Sequence, residues 1–308
     1  MLKLFIFVIL VASVGEKFAR AQNDKADGAA SPVSSTPVPS DSVQILPDRQ
    51  SLPRWYDFVG NLPGDMGSLA LLSVEVKTIP TLAAITVLTL GLVATDHETY
   101  TITNGFYERS TTVASVSDFF VSLGDGKSPL ILAGALGAYG FAASDHRALR
   151  TASQTLEVLL ATGLVVQTLK HISGRESPSV ATSPTGTWRP FPSLKTYHSR
   201  QSRYHAFPSE HIATTMATVT VLVENYPELG WLKPVGYSIV GLVGISLVEN
   251  SWHWYSDLPL GIALGYAFGK IVAHPEGDVD PLDRNEVQLS LAPMMNELGS
   301  GVRLSLQF

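Results

Sequence analysis

Apolar residues along this chain fall in long blocks rather than in alternation. From about Trp55 onward the clearest blocks are Ile79 to Thr95, Pro129 to Ser144, Thr151 to Leu169, His211 to Val223, Val235 to Val248 and Leu258 to Val272. Each is long enough for a helix and none keeps the strict period of two that marks a half-buried strand. The pattern therefore predicts an all-α fold, a bundle of about six core helices. In the last block Gly261, Gly265 and Gly269 recur every fourth residue, which puts them on one face and lets another helix approach closely. The chain end behaves differently. EVQLSLA (286–292) and GVRLSLQF (301–308) alternate, with Val287, Leu289 and Leu291 on one face and Val302, Leu304, Leu306 and Phe308 on the matching face of the second segment. That predicts a short C-terminal β-hairpin packed on the bundle, since two strands cannot close a barrel.

The stretch before Trp55 carries no such blocks. Lys3 precedes an apolar run from Leu4 to about Val14, and Ala19-Arg20-Ala21 supplies a small-x-small cleavage site before Gln22. Residues 1–21 read as a signal peptide, with an uncleaved anchor as the alternative, because a spanning helix needs about 20 apolar residues. Residues 22–54 are rich in Ser, Pro, Ala and Asp and read as a disordered linker. The expected organisation is thus signal 1–21, linker 22–54, helical domain 55–277 and hairpin tail 278–308.

Composition changes this picture only in places. Hydrophobic residues make up 45% and charged residues 16% of the 308, enough for one substantial core. The formal charge of −6 excludes a broad basic surface, so no nucleic-acid partner is expected. The absence of cysteine excludes disulfides and thiolate chemistry. The apolar blocks sit at or below the spanning length, Glu157 interrupts the third, and two arginines lie in its leading loop 145–150. Either an extra segment around Met66 to Val76 also crosses, or the bundle does not span. The reading favoured is an exported, membrane-associated protein with its site facing the periplasm; a soluble periplasmic bundle is the alternative.

Three stretches carry candidate chemistry. FPSEHIAT (207–214) opens a helix with Glu210 and His211 in its first turn, where unpaired N–H groups and a partial positive charge favour an anion. HWYSD (253–257) spaces His253 and Asp257 four apart, which on a helix would share a face and let the carboxylate fix the imidazole tautomer. LKHISGRESP (169–178) delivers Lys170 and Arg175 at a Gly-containing turn. Taken singly, an N-cap, a surface His–Asp pair and dipole-capping cations would explain each.

Together, in order and spacing, they resemble the phosphatidic acid phosphatase type 2 superfamily, which also includes bacterial acid phosphatases and vanadium haloperoxidases. Its pattern is Lys, six residues, Arg-Pro; then Pro-Ser-Gly-His; then Ser-Arg, five residues, His, three residues, Asp. Here the three elements read KHISGRESP, PSEH and SLVENSWHWYSD. By that resemblance His253 is the nucleophile that forms a phosphohistidine, Asp257 orients it, and His211 protonates the leaving oxygen. Lys170, Ser209 and the backbone N–H of Glu210 hold the phosphoryl oxygens. The resemblance implies no metal and no cofactor, and His171, His198 and His205 read as solvated loop histidines.

The chain also departs from that pattern. Ser177 and Leu247 stand where the family has arginines, and Glu210 replaces a glycine. Because phosphoryl transfer depends on electrostatic stabilisation, two lost cations lower activity unless replaced. Arg175, two residues before Ser177, is the candidate replacement, with Arg189, Lys195, Arg200 and Arg203 further along. The expected function is an exported, metal-independent phosphatase acting on a phosphorylated small molecule or a lipid phosphate. The alternative is a catalytically silent relative that binds lipid or an anion in the cell envelope. A haloperoxidase ranks third, since vanadate needs much the same cationic cradle.

Overall fold

A computed structural model describes residues 53, 56–275, 288–296 and 299–307, the last two stretches as backbone. The expected signal peptide and all but residue 53 of the linker lie outside the described residues, as does 276–287. The helices are α1 (Asp57–Gly60), α2 (Leu62–Val74), α3 (Ile79–Arg109), α4 (Thr111–Gly124), α5 (Lys127–Ala143), α6 (His146–Ser173), α7 (Leu194–Ser199), α8 (Glu210–Asn225), α9 (Leu232–Glu249) and α10 (Leu258–Ala273). Each of the six apolar blocks lies on a helix. Beyond the blocks, α3 continues past Thr95 through a polar stretch to Arg109, and α1, α4 and α7 have no block of their own. The segment at 66–76 is largely α2, which packs against α6 and α10. That contact explains Glu157: it is buried there, accepting from Asn61 Nδ2 at 3.2 Å beside Asp65. Strands β1 (Gln288–Asn296) and β2 (Gly299–Gln307) pair antiparallel, Gln288 opposite Gln307 and Asn296 opposite Gly299. Their side chains, and with them the expected packing of the hairpin, lie outside the described residues.

The centre of the bundle is α8, wrapped by α6, α9 and α10. Its residues from Ile212 to Val221 are all buried, and Ile212, Met216 and Val219 form a core with Val240, Val243 and Leu247 of α9. The glycine face of α10 lies against it. A Cβ at Gly265 would sit 2.2 Å from the Ala213 carbonyl oxygen, and one at Gly269 2.4 Å from Thr220 Cβ. At Gly261 the same atom would lie 2.6 Å from the Ser209 carbonyl oxygen, so this contact also sets the height of the α8 start.

Residues Val76–Arg109 and Leu232–Glu249 are long and apolar enough to cross a membrane. In the first of these only 6% of the apolar window is buried, and Ile79, Val87, Leu88, Leu90, Ile102 and Phe106 are all exposed. At about 1.5 Å per residue, α3 exceeds the ~30 Å hydrocarbon thickness.

Gly265→Ala should lower stability by about 1–3 kcal/mol, the usual cost of overpacking, because the clashing partner is backbone that cannot rotate away. Gly134→Ala, with nothing within 4 Å of its added Cβ, should not destabilise. Denaturant unfolding of both variants checks this.

Candidate active site

The site forms where three chain turns meet at one end of the bundle. Helix α6 ends at Gly174, whose φ of +56° and N–H bond to the Lys170 carbonyl (2.8 Å) close the last turn. A Cβ at Gly174 would lie 1.8 Å from the Arg189 carbonyl oxygen, so glycine is required twice over. Lys170 is in that last turn and Arg175 follows at once. The loop 174–206 then folds over itself and delivers Ser209 as the N-cap of α8. The third contributor is the 250–257 connection between α9 and α10.

His253 and His211 come together, ring centroids 6.0 Å apart. His253 is buried, and its Nδ1 donates to the Ala206 carbonyl at 2.7 Å, which leaves Nε2 as the nitrogen with a free lone pair. The nearest Asp257 oxygen lies 3.5 Å from Nδ1. The backbone carbonyl, a partner the sequence could not reveal, is therefore the close one, with Asp257 behind it. Nor do the two residues share a helix. They bracket a short turn of 3₁₀ helix, Tyr255–Asp257, whose start Asp257 caps by accepting the Trp254 N–H at 2.8 Å. The fourfold spacing arises from this cap.

Arg175 takes a position different from the expected phosphate-binding one. It is fully buried between two carboxylates, donating from Nη1 to Asp257 Oδ1 (2.5 Å) and Ser256 Oγ (2.6 Å), and from Nη2 to Asp96 Oδ2 and the Thr185 carbonyl (both 2.7 Å). Asp96 comes from α3. The indoles of Trp188 and Trp254 cover the guanidinium, with Arg175 Cζ 4.7 and 5.5 Å from their ring centroids. The other loop cations are no better placed. Arg189 and Arg203 pair with the buried Glu176 carboxylate, which also gathers the Thr182 and Thr187 N–H groups, and Lys195 and Arg200 are exposed.

The residues expected to bind phosphate come together at the start of α8, with one complication. Lys170 is buried, and its Nζ lies 3.1 Å from Glu210 Oε2. The same oxygen accepts from Gln167 Nε2. Glu210 thus turns back onto the lysine rather than outward, and its carboxylate holds the charge an anion would use. Ser209 is fully buried yet makes no side-chain cap, and its Oγ has no partner; His211 Nδ1 is likewise buried and unpartnered. Hydroxyls at N-caps ordinarily bond the N2 or N3 amide, so this one is free to meet a ligand at the helix start.

The two replaced arginines are explained by packing. Leu247 is fully buried in the α8–α9 core, and its carbonyl accepts the Trp252 and His253 N–H groups at 3.0 and 3.2 Å. An arginine there would bury its charge among apolar side chains. Ser177 is buried as well, its N–H bonded to the Ser202 carbonyl.

Sequence reasoning missed three participants. His205 is not a solvated loop residue: it is half-buried, Nδ1 is without a partner, and it lies within electrostatic reach of Lys170 and His253. Trp252 packs edge-on against His211, centroids 5.3 Å apart, while remaining 46% exposed. Asp96 opens the polar stretch that follows the apolar block Ile79 to Thr95, and nothing local in the sequence marks it out from its polar neighbours.

Burial, reinforced by the neighbouring His253 and Lys170, pulls His211 down to about 3; burial with Lys170 and His253 pulls His205 down to about 4. Both rings are neutral at pH 7 in the unliganded protein. Their unfolded counterparts take up protons near pH 6.5 and the folded ones do not, so the stability they contribute is complete above 6.5 and is lost as pH falls toward 4 and then 3. The expected slope is up to about 1.4 kcal/mol per pH unit for each ring. Denaturant midpoints measured from pH 7 to pH 4 check it, and His205→Gln should flatten the dependence.

Residues 152–277, which hold all three chemical stretches, match the family described as the PAP2 superfamily. A stretch of 68 residues is 34% identical to a lipid A 1-phosphatase of Porphyromonas gingivalis, covering 22% of this chain and 15% of that one, so the match spans only a small part of the relative. Among solved structures, a transmembrane PAP2-type phosphatidylglycerolphosphate phosphatase from Bacillus subtilis aligns over 65% of this chain and 98% of its own at 20% identity, with a TM-score of 0.45. The end of α6, the start of α8 and the turn before α10, which carry the three motif stretches, all lie within the residues that match the PAP2 superfamily.

Proposed function

We propose that this protein is a membrane-associated phosphatase that hydrolyses a lipid-linked phosphate through a phosphohistidine on His253, without a metal ion. The observation that carries the reading is the facing pair of imidazoles at the start of α8, beside a buried hydroxyl and ring nitrogen that have no partner of their own. The exposed apolar surface of α3 supports the membrane association, and the lipid A 1-phosphatase relative supports a lipid phosphate as substrate. Export, with the site on the periplasmic side, is part of the same proposal and rests on the N-terminal sequence.

The chemistry divides into two displacements. In the first, the His253 Nε2 lone pair attacks phosphorus while the bond to the leaving oxygen breaks, and His211 gives that oxygen its proton. Negative charge on the bound phosphoryl group favours protonated His211, which offsets the effect of burial in the unliganded site. In the second, His211 takes a proton from water, the resulting hydroxide attacks phosphorus, and the P–N bond breaks to release inorganic phosphate. Throughout, the Nδ1–H bond to Ala206 holds the tautomer, and Lys170, the Ser209 hydroxyl and the amides of the first α8 turn receive the phosphoryl oxygens. Those donors reach full strength when Glu210 leaves Lys170.

That last requirement favours a second reading, a silent relative whose cation is permanently neutralised. Two measurements separate them. Purified protein in detergent should turn over a lipid phosphate, and His253→Ala should reduce the rate by at least about 100-fold, the scale of a lost nucleophile; undiminished turnover in that variant contradicts the assignment. Glu210→Gln should tighten inorganic vanadate binding by roughly tenfold, about 1.4 kcal/mol of removed competition, and raise turnover. An active wild type with no gain in this variant would show that the carboxylate does not obstruct the site.

A further inference from the structure

The longest helix, α3, has a single buried residue among those described, and it is an aspartate. Asp96 also begins a polar stripe on an apolar helix: Tyr100, Thr103 and Asn104 follow at positions +4, +7 and +8, one face of the helix. Every member of that stripe touches the 249–257 segment. Tyr100 Oη bonds Ser251 Oγ at 2.9 Å, Thr103 bonds Tyr255 Oη at 3.1 Å, and Asn104 donates to the Glu249 carbonyl at 2.8 Å. Asp96 itself accepts from the Ser256 N–H at 3.2 Å and from the Ser256 hydroxyl.

These contacts converge on His253. Asp96 fixes one arm of Arg175, the other arm fixes Asp257, and Asp257 stands behind His253 Nδ1 and caps the turn that carries it. The Asp257 carbonyl also accepts the Ser209 N–H at 3.0 Å, tying the nucleophile's turn to the start of α8. The arginine next to the phosphate site thus faces inward, where two carboxylates and two indoles hold it.

We propose that Asp96 and Arg175 are positioning residues: through Asp257 they aim His253 Nε2 at phosphorus, and they make the apolar helix α3 a structural part of the active site. This rests on the reading of His253 as the nucleophile. The charge sequence Asp–Arg–Asp supplies a physical reason. One guanidinium with two planar hydrogen-bonding edges can hold two carboxylates at fixed angles, and a nucleophile displaced by about 1 Å can cost 10²-fold in rate.

The test is a double-mutant cycle on the full chain in detergent, read by turnover of a lipid phosphate and by affinities for vanadate and inorganic phosphate. Vanadate accepts an additional in-line ligand and so reports alignment of the nucleophile, whereas phosphate reports the binding cradle alone. Asp96→Asn should lower kcat and weaken vanadate by at least about tenfold, leave phosphate affinity and KM within about twofold, and cost little more when Asp257→Asn is already present. Arg175→Lys should behave as an intermediate. Were Asp96→Asn not to fold, Ser256→Ala, which removes a hydroxyl that touches both Arg175 and Asp96, serves the same cycle with a smaller expected loss. Parallel losses of phosphate and vanadate binding, full additivity with Asp257→Asn, or no change at all would overturn the inference while leaving the site reading intact. A wild type that neither turns over the lipid nor binds vanadate would overturn the site reading and this inference with it.

Discussion

A single guanidinium held between two carboxylates sets the geometry of this site. Arg175, Asp96 and Asp257 are all fully buried, and removing three such charges from water is costly unless each donor and acceptor is met. Here the Ser256 hydroxyl, the Ser256 and Trp254 amides and the Thr185 carbonyl satisfy most of the remaining capacity. Such a cluster need not add net stability over well-packed hydrocarbon. What it imposes is registration: α3, the loop after α6 and the turn before α10 fit together in one arrangement, because any other leaves a buried charge unpaired.

The remainder of the site follows from that registration. The α10 turn that carries His253 also receives the Ser209 amide, and the glycines of α10 bring it close enough to α8 for the two ends to meet. The His211 ring then faces His253, with Trp252 against its edge. Burial at the helix ends keeps the His211 ring neutral in the unliganded site. Under the proposed function, the ion pair of Lys170 and Glu210 makes anion entry an exchange of one carboxylate for one phosphate, which favours strongly charged ligands over weakly charged ones.

The sequence made the helices and the motif residues legible for physical reasons. Long apolar blocks without alternation can only be buried or lipid-facing helices, and the glycines at 261, 265 and 269 declared a close helix contact. The site was legible where function constrains local spacing, as in FPSEH and HWYSD. It was obscure where partners lie far apart in the chain. Asp96 and Arg175 are 79 residues apart, and nothing local distinguishes a carboxylate that will meet a buried arginine from one that merely follows an apolar run. Orientation was equally hidden. The residue names at 175 and 210 gave charge, but whether Arg175 turned toward a ligand or into the protein, and whether Glu210 turned outward or onto Lys170, depended on tertiary neighbours. The spacing of His253 and Asp257 fitted a helix and belonged to a capped turn instead.

The most direct measure of the central claim is capture of the covalent intermediate. Rapid acid-free quenching of the protein with a ³²P-labelled lipid phosphate, followed by peptide mapping under alkaline conditions, reports both the bond and its position. Acid-labile, alkali-stable phosphate on the peptide containing His253, absent from His253→Ala, is the expected result. Turnover without any nitrogen-linked phosphate, or with the label on a different residue, would contradict the account.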